Sequence, residues 1–218
     1  MIERTLRDYV IVIVVAALVA LGLRFFVIEG FRIPADSMMP GLRSGDHIFV
    51  NKLAYGFRYP SNGYATTDLK LPRRGDVVVH ILNNDSNKDF IKRVIGLPGD
   101  KVAIKDQVLY LNGTKVSVLK EQKGSSKLYE ERLDGRNYQV IWDDSSAASN
   151  QDMIEVTVPS QQLFLLGDSR TKGVDSRKWG FIPVASLKGQ AWVIWLSLGD
   201  QAEGSGRIRW SRFLKKVE

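Results

Sequence analysis

An uncharged apolar run near the N-terminus is the feature that most constrains the fold of this chain. The residues from Tyr9 to Leu23 include no charged side chain, and after Arg24 the apolar character continues from Phe25 to Ile28. A helix of about 20 residues spans roughly 30 Å, which is the thickness of a bilayer core. We therefore predict one membrane anchor over residues 9–28, preceded by a short N-terminal segment, residues 1–8.

A cleaved signal peptide is the alternative interpretation of this run, because its apolar length is borderline. The small residues Ala16, Ala17 and Ala20 lie inside the run, where a peptidase would not be expected to cut, and no A-x-A-like site follows. The sequence therefore favours an anchor that stays attached. The flanking charges do not set its orientation, because Arg4 and Arg7 are accompanied by acidic neighbours.

The remainder of the chain has the pattern of a mainly β protein. Short runs rich in Val, Ile, Phe and Tyr alternate with Gly, Pro, Asn and Asp. The segment Val108–Val116 is a hairpin candidate, because its Asn112-Gly113 pair can take the positive φ values of a type I′ turn. Residues 119–150 are polar and resemble an excursion from the core. The other predicted strands are His47–Asn51, Asp76–Leu82, Phe90–Ile95, Val102–Ile104, Ile154–Val158, Leu163–Leu166 and Ala191–Leu198.

Ser37 is a candidate nucleophile because of where the chain presents it. It lies in the stretch IPADSMMPGLRSGD (Ile33–Asp46), just after the predicted anchor. The dipeptide Ile33-Pro34 favours an extended approach, and Pro40-Gly41 turns the chain directly afterwards. A serine in this setting is displayed rather than packed, although a role in a turn or helix cap would explain the same residue.

Lys92 is the candidate base because its neighbours are apolar. It lies in FIKRVIGLPGD (Phe90–Asp100), where strand periodicity places it on one face with Phe90 and Val94, and Arg93 is expected to point to solvent from the other face. Keeping a lysine charged among apolar neighbours is costly, so its pKa falls. A neutral amine can then take a proton from a serine hydroxyl near neutral pH. The alternative is a strand lysine whose stem lies on the core while its amine reaches water.

Other catalytic chemistries do not fit the sequence. There is no G-x-S-x-G elbow, and Pro40 stands where an S-x-x-K enzyme needs its lysine. His47 and His80 lie at the edges of predicted strands and are better explained as strand residues than as catalytic bases. The absence of cysteine excludes disulfides and a thiol nucleophile, and no cluster of metal-ligating residues is apparent. We therefore expect no metal and no cofactor.

Four motifs together resemble those of bacterial type I signal peptidases, also called leader peptidases. They are IPADSMMPGLRSGD, RRGDVVVH (Arg73–His80), FIKRVIGLPGD and GDSRTKGVDSRKWGFIP (Gly167–Pro183), and they occur in the family's order. The resemblance implies a membrane-bound serine endopeptidase, a hydrolase of peptide bonds, that uses a Ser-Lys dyad. In this chain Ser37 would be the nucleophile and Lys92 the general base.

The resemblance also implies supporting residues and a substrate site. Asp175 and Arg177 would form an ion pair near the lysine, and Asp168 and Arg170 would brace the same loop. Shallow apolar pockets would accept small side chains at the first and third positions before the cut. Their lining maps onto Phe31, Ile33, Ile48, Val79 and Ile91, although ordinary core packing would explain the same five residues.

The fold implied by the resemblance has two parts. A catalytic β core would comprise residues 29–100 and 160–210, with a variable β insert, residues 101–159, between them. The chain would end in a basic C-terminal tail, residues 207–218, whose Trp210 and Phe213 suit contact with anionic lipid. An ordinary solvated tail is the alternative.

Three positions depart from the family pattern. Ala35 stands where the family commonly has a serine whose hydroxyl helps to hold the oxyanion. Gly173 stands where the family usually has a serine that touches the lysine, and Ser169 replaces the usual asparagine after Gly-Asp. The oxyanion would then depend on the backbone, chiefly on the N–H of Ser37.

The function implied by the resemblance is removal of N-terminal signal peptides from exported preproteins, by cleavage after small residues. The protein would cross the bacterial cytoplasmic membrane once, with its catalytic domain on the outer face. The expected partners are preprotein signal peptides and the lipid bilayer, with the secretion translocon as a further candidate and no nucleic acid.

The alternatives to this function also come from the sequence. A specialised or weakly active paralogue would serve one substrate, such as a pilin precursor. A catalytically silent membrane protein would bind signal peptides without cutting them, and Ala35 and Gly173 are the residues that favour it. The related SOS repressor autoproteases also use serine and lysine, but they are soluble and the predicted anchor argues against them.

Overall fold

An N-terminal helix precedes a set of β-sheets in the computed structural model, which describes residues 2–56, 69–82, 85–143, 152–199 and 207–218. Helix α1 runs from Ile2 to Phe26. Its stretch Arg7–Phe26 has a mean hydropathy of 2.6, and none of it is buried inside the protein. By length and composition this helix can cross a membrane. It ends two residues before the predicted anchor does, because Ile28 already pairs with Asn51 in a strand.

The remaining elements of the described residues are short strands, one α-helical turn and three 3₁₀ turns (Asp36–Met38, Val184–Ser186 and Trp210–Arg212), as expected for a mainly β chain. The α-helical turn is α2, Ser176–Trp179. The strands are β1 Ile28–Arg32, β2 Asp46–Asn51, β3 Val77–Leu82, β4 Asp85–Gly96, β5 Lys101–Lys105, β6 Val108–Leu111, β7 Thr114–Lys115, β8 Ser117–Lys123, β9 Ser126–Leu133, β10 Arg136–Asp143, β11 Met153–Thr157, β12 Gln162–Leu166, β13 Ile182–Pro183, β14 Leu187–Ser197 and β15 Lys215–Lys216.

The strands of the described residues form three sheets. The largest has the spatial order β1-β2-β14-β3-β4-β12-β13, and β15 pairs with β14. Strands β5 to β11 lie outside it and form a four-stranded sheet, β11-β5-β6-β7, and a three-stranded sheet, β10-β9-β8. This pairing favours the predicted division into a catalytic core and an insert, which stays a prediction.

The predicted hairpin around Asn112-Gly113 is confirmed. Leu111 pairs directly with Thr114, so the two residues between them form the whole loop. Asn112 has a φ of 52° and Gly113 a φ of 77°, the left-handed values that a type I′ turn requires. The turn residues therefore determined this local structure.

The polar stretch expected as an excursion is regular structure as far as the described residues reach. Strands β8, β9 and β10 form two successive hairpins, and the sequence pattern did not indicate them. Tyr129, Tyr138, Val140 and Trp142 of β9 and β10 are buried in the largest hydrophobic cluster, whereas most of the residues beside them along the strands, such as Glu130 and Gln139, are polar. Because buried and polar residues alternate, the stretch is polar overall although one of its faces packs on the core. Residues 144–150 lie outside the described part.

The catalytic candidates are presented by two neighbouring parts of the largest sheet. Ser37 lies on a 3₁₀ turn, Asp36–Met38, in the connection between β1 and β2. The fully buried side chains of Met38 and Leu42 fix this connection to the core, so that Ser37 itself stays half-buried. Lys92 lies on β4 directly opposite Val78 of β3. The register of this central strand pair thus determines where its amine points.

The basic C-terminal segment folds back onto the largest sheet. Strand β15 pairs with β14, and the N–H of Val217 donates to the C=O of Trp192. The guanidinium of Arg212 pairs with the fully buried carboxylate of Asp46 at 2.5 Å. Residues 207–218 are therefore not an ordinary solvated tail, because a buried carboxylate needs a cation beside it. Trp210 and Phe213 remain exposed.

Candidate active site

Ser37 and Lys92 are in direct contact. The Lys92 Nζ lies 3.0 Å from the Ser37 Oγ, within hydrogen-bonding distance. Lys92 is only 3% exposed. The alternative in which its amine reaches bulk water therefore does not hold. The two side chains come from positions 55 residues apart and meet because β4 passes behind the 3₁₀ turn.

The surroundings of the amine lower its proton affinity. Burial lowers the pKa of Lys92, the charges of Asp175 and Asp168 partly oppose this, and Arg177 reinforces it. Among the described residues, no carboxylate lies within ion-pair distance of the amine, and the Ser37 hydroxyl is its one hydrogen-bond partner. A buried amine without a counterion is the condition for a neutral lysine base.

An aromatic wall covers the same face of the strand. His80 is paired with Phe90 across β3 and β4, which places it diagonally opposite Lys92. The ring centres of His80 and Phe90 are 5.8 Å apart, and Trp179 of α2 packs edge-on against both. The Lys92 Nζ is 6.0 Å from the centre of the Trp179 ring. These rings exclude water from the amine.

His80 is a neutral member of this wall. Burial lowers its pKa to about 4, against the hydrogen bond between its Nδ1 and the C=O of Ile81, and the charge of Lys92 lowers it further. The imidazole is therefore uncharged throughout the neutral pH range. Its Nε2 is buried and has no hydrogen-bond partner among the described residues.

The predicted ion pair of Asp175 and Arg177 is present beside the Ser37–Lys92 contact. Two hydrogen bonds of 2.8 and 2.7 Å join the guanidinium to the carboxylate, which also accepts from the N–H of Gly167. Burial acts to raise the pKa of Asp175, but these hydrogen bonds and the charge of Arg177 bring it below its usual value. Arg177 also donates to the C=O of Arg170, so the pair ties both ends of the loop together.

Asp168 and Arg170 both lie in the loop but have separate partners. Asp168 binds Arg93 through two hydrogen bonds of 2.7 Å. Arg170 binds Glu131 of β9 through two hydrogen bonds of 2.6 and 2.5 Å. Both pairs are almost completely buried. The loop is thus fixed to the large sheet at one residue and to the three-stranded sheet at the other.

The expected orientation of Arg93 is wrong. Arg93 is 1% exposed, and its guanidinium also donates to the C=O of Gly75 and stacks over the Tyr138 ring at 3.9 Å. The prediction from strand periodicity assumed that the Arg93 face of β4 is exposed to solvent. In this fold Tyr138 of β10 covers the Arg93 side chain, so both faces of the strand are buried here.

Sequence reasoning missed the polar group that receives Arg170. The carboxylate of Glu131 is fully buried and accepts hydrogen bonds from Ser117 and Tyr138 as well as from Arg170. Burial acts to raise the pKa of Glu131, but the charge of Arg170 and these hydrogen bonds keep it below its usual value. A glutamate in a polar stretch gives no sign of burial, so no sequence signal distinguished it.

The five predicted substrate-lining residues come together in one cluster. Ile33, Ile48 and Val79 are buried there, and Phe31 and Ile91 lie half-buried at its edge. The buried three therefore also serve as ordinary core residues. Phe31 and Ile91 are the members of the set that a bound peptide would touch first.

Known proteins resemble this chain over most of its length. A family model described as signal peptidase, peptidase S26, matches residues 6–196. The chain belongs to this family. It is a serine peptidase, a hydrolase of peptide bonds. Among its relatives, signal peptidase I of Pseudomonas aeruginosa is 37% identical over 198 residues, which cover 84% of this chain and 69% of that protein. Signal peptidase I of Bacillus caldolyticus is 36% identical over 180 residues, which cover 81% and 84%.

A solved structure also matches the peptidase. It is a signal peptidase I from Enterococcus faecalis V583, 27% identical, covering 56% of this chain and 97% of that one with a TM-score of 0.36. The fold described above stands on the strand pairing of this peptidase itself. The matched family region contains both members of the Ser37–Lys92 contact.

Proposed function

We propose that this peptidase is a membrane-bound endopeptidase that removes N-terminal signal peptides from exported preproteins, with Ser37 as nucleophile and Lys92 as general base. The observation that carries the proposal is the 3.0 Å contact between a half-buried serine hydroxyl and a buried amine that has no counterion among the described residues. Its relatives bear the name signal peptidase I.

Acylation follows from this geometry. Neutral Lys92 takes the hydroxyl proton of Ser37 as the Oγ attacks the scissile carbonyl carbon. The resulting oxyanion accepts a hydrogen bond from the N–H of Ser37, since Ala35 has no hydroxyl to offer. The ammonium of Lys92 then protonates the leaving amine as the C–N bond breaks, which leaves an ester on Ser37.

Deacylation uses the same base. Lys92, neutral again, takes a proton from water as the water oxygen attacks the ester carbonyl carbon. The C–O bond to Ser37 then breaks, and the lysine returns its proton to the Oγ. The freed signal peptide leaves with a new carboxyl group. No group beyond the dyad and the backbone is required for either half of the reaction.

The substrate would bind as an added strand. Within the described strands, β1 pairs with β2 alone, so its other edge has free N–H and C=O groups. Phe31 of β1 and Ile91 of β4 lie half-buried in the same apolar cluster and suit small side chains at the first and third positions before the cut. The remaining predicted lining residues, Ile33, Ile48 and Val79, would form the floor.

The membrane anchor completes the proposal. A signal peptide is itself apolar and held in the bilayer, so a tethered enzyme meets it at high effective concentration. We place the catalytic domain on the outer face of the bacterial cytoplasmic membrane, with the secretion translocon as a candidate neighbour. The exposed Trp210 and Phe213 suit contact with the lipid surface.

The test is cleavage of a preprotein with an A-x-A site by the detergent-solubilised full chain. Ser37→Ala and Lys92→Ala should each abolish cleavage, and retained activity in either would contradict the assignment. The wild-type rate should fall as the pH drops below the lowered pKa of Lys92, because the amine is then protonated. His80 does not cause such a fall near neutral pH, since its pKa is about 4.

A silent signal-peptide-binding protein is the second candidate, favoured by Ala35 and Gly173. It predicts that the purified wild type binds the peptide but neither cuts it nor forms a covalent ester with a signal peptidase inhibitor. Cleavage by the wild type would exclude it.

A further inference from the structure

The loop that follows β12 touches the reactive serine at two glycines. A Cβ atom built on Gly173 would lie 2.9 Å from the Cβ of Ser37, 3.8 Å from its Oγ and 3.9 Å from the Lys92 Nζ. A Cβ on Gly167 would lie 2.7 Å from the C=O oxygen of Ser37. Distances below 3.0 Å are too short for real Cβ contacts. The bare backbone at both positions is therefore in close contact with Ser37.

The backbone conformation at Gly173 also requires glycine. Its φ is +84°, in the region that side chains rarely adopt. The backbone at Gly173 therefore lies against Ser37. A residue with a side chain at this position would fit only if the loop or the serine shifted.

The loop is too firmly held to shift easily. Its residues bind the rest of the protein through the buried pairs of Asp168 with Arg93 and of Arg170 with Glu131. The N–H of Ser169 also donates to the C=O of Ser37 at 3.1 Å, which ties the loop to the nucleophile directly. A side chain added at position 173 would therefore displace the Ser37 side chain, which is half-buried and hydrogen-bonded to Lys92.

We propose that Gly173 is a positioning residue whose bare backbone packs against Ser37 and holds its hydroxyl at the Lys92 amine. In this arrangement, van der Waals contact orients the dyad, since among the described residues no second hydroxyl binds the lysine. The inference rests on the proposed function of the Ser37–Lys92 pair. It further implies that adding a hydroxyl at this position harms the enzyme.

The test compares Gly173→Ala and Gly173→Ser with Gly135→Ala in preprotein cleavage by the full chain. Gly135 has a φ of +81° but no atom within 4 Å of a built Cβ, so its variant carries the same backbone strain without the contact. Both substitutions at 173 should lower kcat by about tenfold to a hundredfold with KM unchanged, because the reacting groups are misplaced. Gly135→Ala should keep the wild-type kcat.

Three outcomes would overturn the inference. They are a kcat for Gly173→Ser at or above that of the wild type, a kcat for Gly173→Ala equal to that of Gly135→Ala, and a loss confined to KM. If the wild type cleaves and the dyad variants do not, any of these results refutes the role of Gly173 alone. Inactivity of the wild type, or activity of Ser37→Ala, refutes the proposed function instead.

A stability measurement covers the case in which Gly173→Ala folds poorly. In a Ser37→Gly background the Cβ that the new methyl group would meet is gone. Gly173→Ala should then lower the melting temperature by less than it does beside Ser37, and by about as much as Gly135→Ala does. An equal loss in both backgrounds would show that the contact with Ser37 is not the cause.

Discussion

Strand β4 carries two buried basic side chains side by side, and their surroundings differ in one respect. Lys92 shares its face with aromatic rings and, among the described residues, has no carboxylate at ion-pair distance, whereas Arg93 binds Asp168 through two short hydrogen bonds. Burial without a counterion lowers the pKa of an amine, and burial with one keeps a guanidinium charged. The comparison shows that the site keeps a charged guanidinium next to an amine whose pKa is lowered.

The largest expected effect comes from removing the paired cation. Arg93→Met leaves the carboxylate of Asp168 buried without a partner, which should lower the free energy of unfolding by about 3–5 kcal/mol. Thermal and urea unfolding of the detergent-solubilised full chain would measure it. Lys101→Met is the control, because its pair with Glu155 is about half exposed and should matter by less than about 0.5 kcal/mol. Equal losses in the two variants would contradict the prediction.

The next expected effect is a pH dependence of stability caused by His80, the neutral histidine of β3 that lies beside Lys92. The pKa of His80 is about 4 in the folded chain and 6.5 when unperturbed. As the pH falls, the unfolded chain therefore takes up this proton at a higher pH than the folded chain does. The free energy of unfolding keeps its full value above pH 6.5 and decreases by up to about 3 kcal/mol as the pH drops towards 4. His80→Phe should flatten this part of the stability curve. An unchanged slope in the variant would show that His80 does not titrate as described.

The smallest expected effect is a gain in stability rather than a loss. Lys92→Met replaces the buried amine by an apolar side chain of similar length and should raise the free energy of unfolding by about 0.5–2 kcal/mol while abolishing cleavage. Because the pKa of Lys92 is lower in the folded chain than in the unfolded chain, its amine destabilises the fold fully below the folded pKa. This destabilisation disappears as the pH rises to the pKa of the unfolded chain. A variant less stable than the wild type at pH 7 would show that the amine does not destabilise the fold.

Local patterns were sufficient for several features of this chain. The apolar N-terminal helix, the Asn112-Gly113 hairpin and the strand containing Lys92 were all indicated by neighbouring residues. The individual strands β8 to β10 were not predicted within the expected β insert, because polar residues outnumber apolar ones along β8 and β9. Their inward residues contribute Tyr138 and Trp142 to the largest core cluster, which only the folded chain reveals.

The candidate site, too, could be predicted from the sequence only in part. The motif order pointed to Ser37, Lys92 and the pair of Asp175 with Arg177, and the structure brings these four together. The partners of Asp168 and Arg170 were not foreseen, because Arg93 lies 75 positions from Asp168 and Glu131 lies 39 positions from Arg170. Spacing along the sequence carries no information about contacts that the sheet register creates.

The amino-acid sequence by itself determined that a membrane-length helix leads a β protein and that one serine and one apolar-flanked lysine are available for chemistry, because these properties depend on adjacent residues. Tertiary structure alone decided that Lys92 is buried with no counterion in the described part of the chain, that Arg93 is buried with one, and that Gly173 packs against Ser37. Each of these three contacts depends on segments that are distant in the sequence and that pack together and exclude water from the site.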